Sequence, residues 1–309
     1  MHILVTGGTG FIGSHIVTAL LEQGHHVRVS ARSPRKNPGL VKLNNVEILY
    51  SDLSDYAHIS QCVQGMDAVI HVAYCPGKGS GLSELETDTR TTIYLYEAAA
   101  RAGVKHFIYT SSTSVNDSVY GGPITLDGEF IDTVKRGTKQ NPVTLYGATK
   151  AASENYIKAL SHTWPVRTNI IRPGYTFGNP VIPGAPTQSD TRFKDIVALA
   201  KAGNDISVNK NDGTQFIWAG HLAEIYLAVL NSDVNRETYF GLSKYFISWE
   251  TVARLALEMS GSSGKLIVEN EYNAVEPVVF DVTDIQREFG LSFDPMNKIR
   301  EHIEYYLAL

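Results

Sequence analysis

The sequence predicts an α/β protein in which a doubly wound parallel sheet is followed by a smaller C-terminal α/β lobe. Three observations carry this expectation. Short β-branched runs alternate with longer amphipathic stretches through the first half of the chain. A glycine cluster, Gly7-Gly8-Thr9-Gly10-Phe11-Ile12-Gly13, joins the first apolar run directly to the first amphipathic one. After Arg172 the texture changes, and Pro173, Gly174, Pro180, Pro183, Gly184 and Pro186 interrupt regular structure.

Taken in order, the strand-like runs are Ile3 to Thr6, Val27 to Ser30, Val46 to Tyr50, Ala68 to His71, Phe107 to Ser111 and Val166 to Ile171. Helical patterns separate them at Phe11 to Gln23, Ile59 to Val63, Glu84 to Ala102 and Thr144 to Leu160. Parallel neighbours need such crossovers, and strands covered on both faces read as continuous apolar runs. A polar, glycine-containing insertion lies between Thr113 and Asn141, and long loops of that kind are often functional. The later region carries helix-like runs near Phe193 to Ala202, Leu222 to Leu230, Trp249 to Met259, Thr283 to Phe289 and Lys298 to Leu307. Short strands fall near Ile206 to Val208, Phe216 to Trp218 and Val278 to Phe280.

The composition suits a folded, soluble protein: 309 residues, 43% hydrophobic and 19% charged. Net charge is −5 with Lys and Arg scattered singly, so no basic stripe marks nucleic acid as a partner. Cys62 and Cys75 make no disulfide framework, and reduced thiols in a cytoplasmic protein are expected. The run Ile3 to Val5 is too short for a signal peptide, and no stretch reaches the ~18 apolar residues of a membrane span. Neither the ten histidines nor the cysteines have metal-ligand spacing, so no metal is expected.

Gly7, Gly10 and Gly13 let the backbone turn tightly and approach a pyrophosphate at the positive end of the following helix, with Thr9, Phe11 and Ile12 in the same turn. At the end of the second strand, Ala31 stands where an acid would bind the ribose hydroxyl of NAD. Arg32, Arg35 and Lys36 crowd the same turn. Cations there pair with a 2′-phosphate, which favours NADP (NADPH) over NAD. Asp52-Leu53 after the third strand and Val72-Ala73 after the fourth are candidates for contact with adenine and with the nicotinamide ribose.

A Tyr-x-x-x-Lys pair puts phenol and ammonium on one helix face. With 16 tyrosines, chance supplies roughly one such pair, and two occur. Tyr74 and Lys78 flank Cys75-Pro76-Gly77, which cannot hold a regular helix, whereas Tyr146 and Lys150 open a long helical stretch. Half-ionising a phenol near pH 7 needs roughly 4 kcal/mol of preferential stabilisation, for which Lys150 is a source. Ser112, just past the fifth strand, is placed to hold the substrate oxygen.

These residues resemble the extended short-chain dehydrogenase/reductase superfamily, the NAD-dependent epimerase/dehydratase type. The resemblance rests on the glycine turn, Asp52, Ser111-Ser112, Tyr146-Gly-Ala-Thr-Lys150 and Arg172-Pro173-Gly174, in that order along most of the chain. It implies a Rossmann-type domain with a C-terminal substrate lobe, Tyr146 as acid/base, Lys150 orienting it and Ser112 polarising a carbonyl. It also implies Pro173, Gly174 and Tyr175 beside the cofactor, and a homodimer formed through Glu84 to Ala102 and Thr144 to Leu160. Residues 1–172 would form the dinucleotide-binding domain, with about 212–244 returning to it, and residues 173–211 and 245–309 the substrate lobe.

Within this superfamily the turn from Val27 to Pro34 looks like that of dihydroflavonol-reductase-like carbonyl reductases. The expected function is therefore NADP-dependent, reversible reduction of a ketone or aldehyde, with a small-molecule carbonyl substrate. The alternatives are a nucleotide-sugar epimerase or dehydratase and a non-catalytic NADP-binding regulatory module. Against the first, no Arg follows Gln215, Gly220-His221 replaces the usual acidic pair and Tyr175 stands where Asn is expected. A diphosphate lacks its natural clamp there. Tyr74, Thr113, Val115, Tyr120, Tyr175 and Phe177 are the expected substrate-pocket residues. Asp88-Thr89-Arg90-Thr91-Thr92 replaces an Asn-rich stretch of the family and receives no role from the sequence.

Overall fold

A computed structural model describes residues 1–33, 39–50, 52–77, 79–116, 124–126, 129–270 and 277–309. Its centre is a sheet of seven parallel strands: β1 (His2–Thr6), β2 (His26–Ala31), β3 (Val46–Tyr50), β4 (Ala68–His71), β5 (His106–Thr110), β6 (Arg167–Pro173) and β7 (Thr238–Gly241). Their spatial order is β7-β6-β5-β4-β1-β2-β3. The order reverses between β1 and β4, and in doubly wound sheets a ligand crevice opens at that switch point, beyond the carboxyl ends of the strands.

The period of two along each strand sorts side chains onto two cores. Ile3 and Val5 of β1, Val27 and Val29 of β2 and Ile70 of β4 face one side. There α1 (Phe11–Glu22) contributes Ile16, Val17 and Leu20, and α7 (Ala219–Asn231) contributes Leu222, Tyr226 and Val229. Leu4, Val69, Phe107 and Ile170 face the other side. They meet Ile59 of α2 (Tyr56–Cys62), Leu95 and Tyr96 of α4 (Arg90–Arg101), and Ile157 of α5 (Leu145–Thr163). Each such fully buried side chain contributes about 1.5–3 kcal/mol of transfer free energy, so both helical layers are strongly held.

Two features differ from the sequence expectation. The helix expected from Glu84 to Ala102 is three pieces: α3 (Gly81–Glu84), a π-helical turn (Leu85–Thr89) and α4. A π turn follows from tertiary packing and leaves no mark on hydrophobic periodicity. The second is β7, Thr-Tyr-Phe-Gly, a segment assigned to no strand from the sequence, which extends the sheet beside β6.

The C-terminal lobe packs around a third core formed by α6 (Arg192–Lys201), α8 (Trp249–Ser260) and α10 (Met296–Ala308). Short α9 (Thr283–Phe289) seats Ile285 against the first core instead. Two-residue strands at Thr176–Phe177, within the proline-rich break, and Ile217–Trp218, beyond it, pair in parallel. At the insertion, Asn141 N–H donates to Val115 O at 2.8 Å, and Asn116 Nδ2 donates to Lys139 O at 2.7 Å, so its two ends are closed on each other.

Candidate active site

A cleft of about 870 Å³ opens at the switch point, between the strand ends and the C-terminal lobe. Gly7, Thr9, Gly10, Phe11, Ile12 and Gly13 form its floor. Gly7 is in the left-handed region, φ +71°, and a Cβ there would lie 2.8 Å from Ala73 N. At Gly13 a Cβ would lie 2.1 Å from Gly7 O, so only glycine lets α1 start this close to the turn. Gly10 N–H closes the turn onto Gly7 O at 2.9 Å, and no side chain caps α1. The free N–H groups of the first turn thus face a cradle of the size and polarity a pyrophosphate requires. The residues present therefore fit a dinucleotide.

Arg32, Leu53, Val72, Ala73, Gly174 and Tyr175 also line this cleft, joined by Ser30 and Cys75. Asp52 stands beside the cleft rather than in its wall; its carboxylate accepts Ser54 N–H at 2.9 Å. That bond, aided by nearby Arg32, holds the carboxyl below its usual range. Pro173 lies in β6 behind Gly174. Arg35, Lys36, Lys78 and Tyr120 lie outside the described residues.

The three expected catalytic residues converge on the carboxyl end of β5. Thr144 caps α5 by accepting Gly147 N–H at 3.0 Å. A Cβ on Gly147 would lie 2.3 Å from Ser114 O, so glycine lets the first turn of α5 pass against the segment after β5. Ser112 Oγ accepts Ser114 N–H at 3.1 Å, which leaves its own proton available. Lys150 Nζ donates to Thr110 O at 3.4 Å. One turn earlier, half-buried Tyr146 meets Tyr74 edge-on, ring centroids 5.0 Å apart, and Tyr74 forms the cleft wall.

Several partners here escaped the sequence reading. Tyr74 OH donates to the buried Glu84 carboxylate at 2.9 Å. Burial and Glu84 together push the Tyr74 phenol above its ordinary range. Asp88, carried inward by the π turn, has one carboxylate oxygen 3.6 Å from Lys150 Nζ, with both side chains no more than 3% exposed. Burial works against the Lys150 ammonium, but Tyr109 and Asp88 outweigh it and hold it above its usual range. Glu154, on the same α5 face as Lys150, accepts from Nε and one terminal nitrogen of the Arg172 guanidinium. The spacing Tyr146, Lys150, Glu154 signals a shared helix face but not the partner on β6.

Three expected pocket residues belong elsewhere. Val115 is 0% exposed, and Phe177, also 0% exposed, stacks on Phe193 at 5.3 Å inside the lobe core. An apolar side chain beyond a strand looks the same in sequence whether core or pocket claims it. Thr113 sits behind Gly174, where a Cβ would come within 3.6 Å of its methyl, and not in the cleft wall. Tyr175 serves both regions: its ring packs on Phe216 and Trp249 while its hydroxyl donates to Asp190, another wall residue, at 2.8 Å.

A parallel sheet with a glycine cradle at its switch point and a Tyr-Lys helix beside it defines a dinucleotide-dependent enzyme of the short-chain dehydrogenase/reductase type. The chain belongs to the NAD dependent epimerase/dehydratase family, whose model matches residues 3–240. It is 34% identical over 185 residues to a 3 beta-hydroxysteroid dehydrogenase/Delta 5→4-isomerase of Mycobacterium tuberculosis, covering 57% of this chain and 47% of that one. A probable UDP-arabinose 4-epimerase of Oryza sativa is 31% identical over 170 residues, covering 50% and 39%. The chain thus aligns with about half the length, or less, of these curated relatives. Among solved structures, UDP-glucuronic acid 4-epimerase from Bacillus cereus in complex with NAD superposes with a TM-score of 0.80 at 20% identity, covering 99% and 98%. Among the described residues, no helix is long and apolar enough to cross a membrane.

Proposed function

We propose that this chain is an NADP-linked oxidoreductase that interconverts a ketone or aldehyde with its alcohol, acting on a neutral, largely apolar small molecule. The observation that carries this reading is the distribution of charge along the cleft. Among the described lining residues, Arg32 is the one cation, and it stands at the adenosine end. The segment after β4 and the segment after β6 present Tyr74, Cys75, Tyr175, Pro186, Gln188 and the carboxylate of Asp190. A diphosphate would meet an acidic group there, not a guanidinium fork.

Gln215, in the segment where an Arg clamp would be expected, is spent on structure. Its amide bonds Ser243 O, Phe280 O and Phe280 N–H at 2.6–3.1 Å. The hydroxysteroid dehydrogenase relatives, named for apolar alcohols, agree with this chemistry.

The chain's own residues divide the work. Gly7 to Gly13 would hold the pyrophosphate, Arg32 the 2′-phosphate, and Tyr146 and Lys150 the nicotinamide ribose. A nicotinamide bound there would supply the hydride in reduction and take it back in oxidation. Tyr146 Oη gives its proton to the carbonyl oxygen, Ser112 Oγ–H stabilises the charge that develops on that oxygen, and Lys150 orients the phenol. Self-association through α4 and α5 belongs to the same proposal; Leu145 and Tyr156 of α5 are exposed.

The nucleotide-sugar epimerase reading draws on the UDP-arabinose epimerase relatives and on the fold neighbours that hold NAD. The test is incubation with NADPH and a panel of cyclic and aromatic ketones, ketosteroids among them, beside UDP-glucose and UDP-galactose. Net NADPH oxidation by a ketone supports the proposal. Sugar interconversion without net cofactor turnover overturns it.

A further inference from the structure

The segment Asp88-Thr89-Arg90-Thr91-Thr92 has no part in the function argued so far, yet it carries a carboxylate into the middle of the site. Asp88 Oδ1 is fixed by Cys75 N–H at 2.9 Å, and the flanking Thr87 Oγ1 donates to Cys75 O at 2.8 Å. Gly77 permits this close passage, since a Cβ there would lie 2.5 Å from Glu84 N. Asp88 Oδ2 takes part in no hydrogen bond, and it faces Lys150 Nζ across 3.6 Å. At that distance the two charges interact strongly in a buried setting, but the ammonium keeps its N–H groups for other acceptors.

The other titratable groups around Lys150 are accounted for element by element. From β4, His71 is pushed down to about 3 by burial and by Lys150, and so is neutral. From β5, burial pushes the Tyr109 phenol up to about 12, and from α7 it raises Tyr226 as well. From the segment after β4, burial and then Asp88 push the Cys75 thiol up to about 11, while Tyr74 donates to Glu84 of α3. Burial raises the Asp88 carboxyl itself, while Lys150 and the Cys75 N–H favour its charged form; Asp88 is the carboxylate in direct contact with Lys150.

We propose that Asp88 is a positioning residue for charge: by opposing Lys150 it makes the acid/base hydroxyl of Tyr146 hold its proton more firmly, which biases the site toward proton donation and carbonyl reduction. This rests on the assignment of Tyr146 as acid/base made above. An uncompensated Lys150 would draw the proton off Tyr146 at lower pH, and the alkaline loss of reductase activity would begin earlier.

The test is the pH profile of kcat/KM for ketone reduction in wild type, Asp88→Asn and Asp88→Glu. Asp88→Asn keeps an acceptor for Cys75 N–H and removes the charge; its alkaline limb is expected about 1 pH unit lower. Asp88→Glu keeps the charge and is expected to hold the limb near the wild-type position. Should the Asn variant not accumulate folded, Asp88→Ser removes the same charge with a smaller acceptor. A limb that stays in place or moves to higher pH in the uncharged variant overturns the proposal. A second readout needs no turnover: a tyrosine 13Cζ NMR titration, with the Tyr146 resonance assigned by its loss in Tyr146→Phe. That titration should move acid in Asp88→Asn, and no movement overturns the proposal. If Tyr146→Phe instead keeps wild-type turnover, the acid/base assignment fails, and the NMR titration still judges the coupling to Asp88 separately.

Discussion

Glu154 and Arg172 form a two-point ion pair, Oε1 to Nε at 2.8 Å and Oε2 to the guanidinium NH2 at 2.7 Å, with both side chains no more than 2% exposed. Asn116 Oδ1 accepts a third guanidinium N–H at 3.3 Å. The pair joins α5 to β6 one turn from Lys150, so it fixes the helix that carries Tyr146 and Lys150. Breaking a buried pair from one side leaves a charge without compensation, at a cost of about 3–5 kcal/mol. Glu154→Gln should lower the thermal midpoint by on the order of 10 °C. Calorimetry of the variant beside wild type checks this, and an unchanged midpoint would show that the pair adds nothing to stability.

Tyr146→Phe removes the proposed proton donor and keeps the ring that packs against Tyr74. Turnover should fall by ~10²–10⁴-fold, with NADPH affinity and thermal midpoint close to wild type. Steady-state kinetics alongside a binding titration separate loss of chemistry from loss of fold.

Arg32 reaches the cleft at the end of β2, where Ala31 offers no carboxylate to a ribose hydroxyl. A charged hydrogen bond of about 1.5–3 kcal/mol corresponds to roughly 10–100-fold in affinity. Arg32→Ala should weaken NADPH binding by that factor and leave NADH binding nearly unchanged. Equal losses for the two cofactors would remove the argument for NADP.

Four buried histidines give stability a definite pH dependence. Burial holds His15 and His302 at about 4, and His71 and His106 at about 3. The unfolded chain, with ordinary histidines near 6.5, binds more protons than the folded one between that pH and the depressed values. Stability therefore rises with pH in this window, and each group costs about 2 kcal/mol at pH 5. The thermal midpoint should fall steeply from pH 7 to pH 5. A flat profile over that range would mean these histidines charge in the folded state.

Much of this molecule is legible in its sequence because it depends on periodicity and glycine. Strands such as β1 and β4, covered on both faces, read as apolar runs, and the spacing of Gly7, Gly10 and Gly13 places the cradle. Tyr146 and Lys150 share a helix face by simple arithmetic. What the sequence hides depends on tertiary contact: the π turn that brings Asp88 to Lys150, the Tyr74 hydroxyl committed to Glu84, and the short edge strand β7. Val115 and Phe177 show the same limit from the other side, since core and pocket select the same residue types.

The most direct test of the account is the cofactor balance during turnover with NADPH and an apolar ketone. One alcohol should form for each NADPH oxidised, with the reaction lost in Tyr146→Phe. Interconversion of a UDP-sugar with no net change in cofactor, and no ketone reduced, would contradict it.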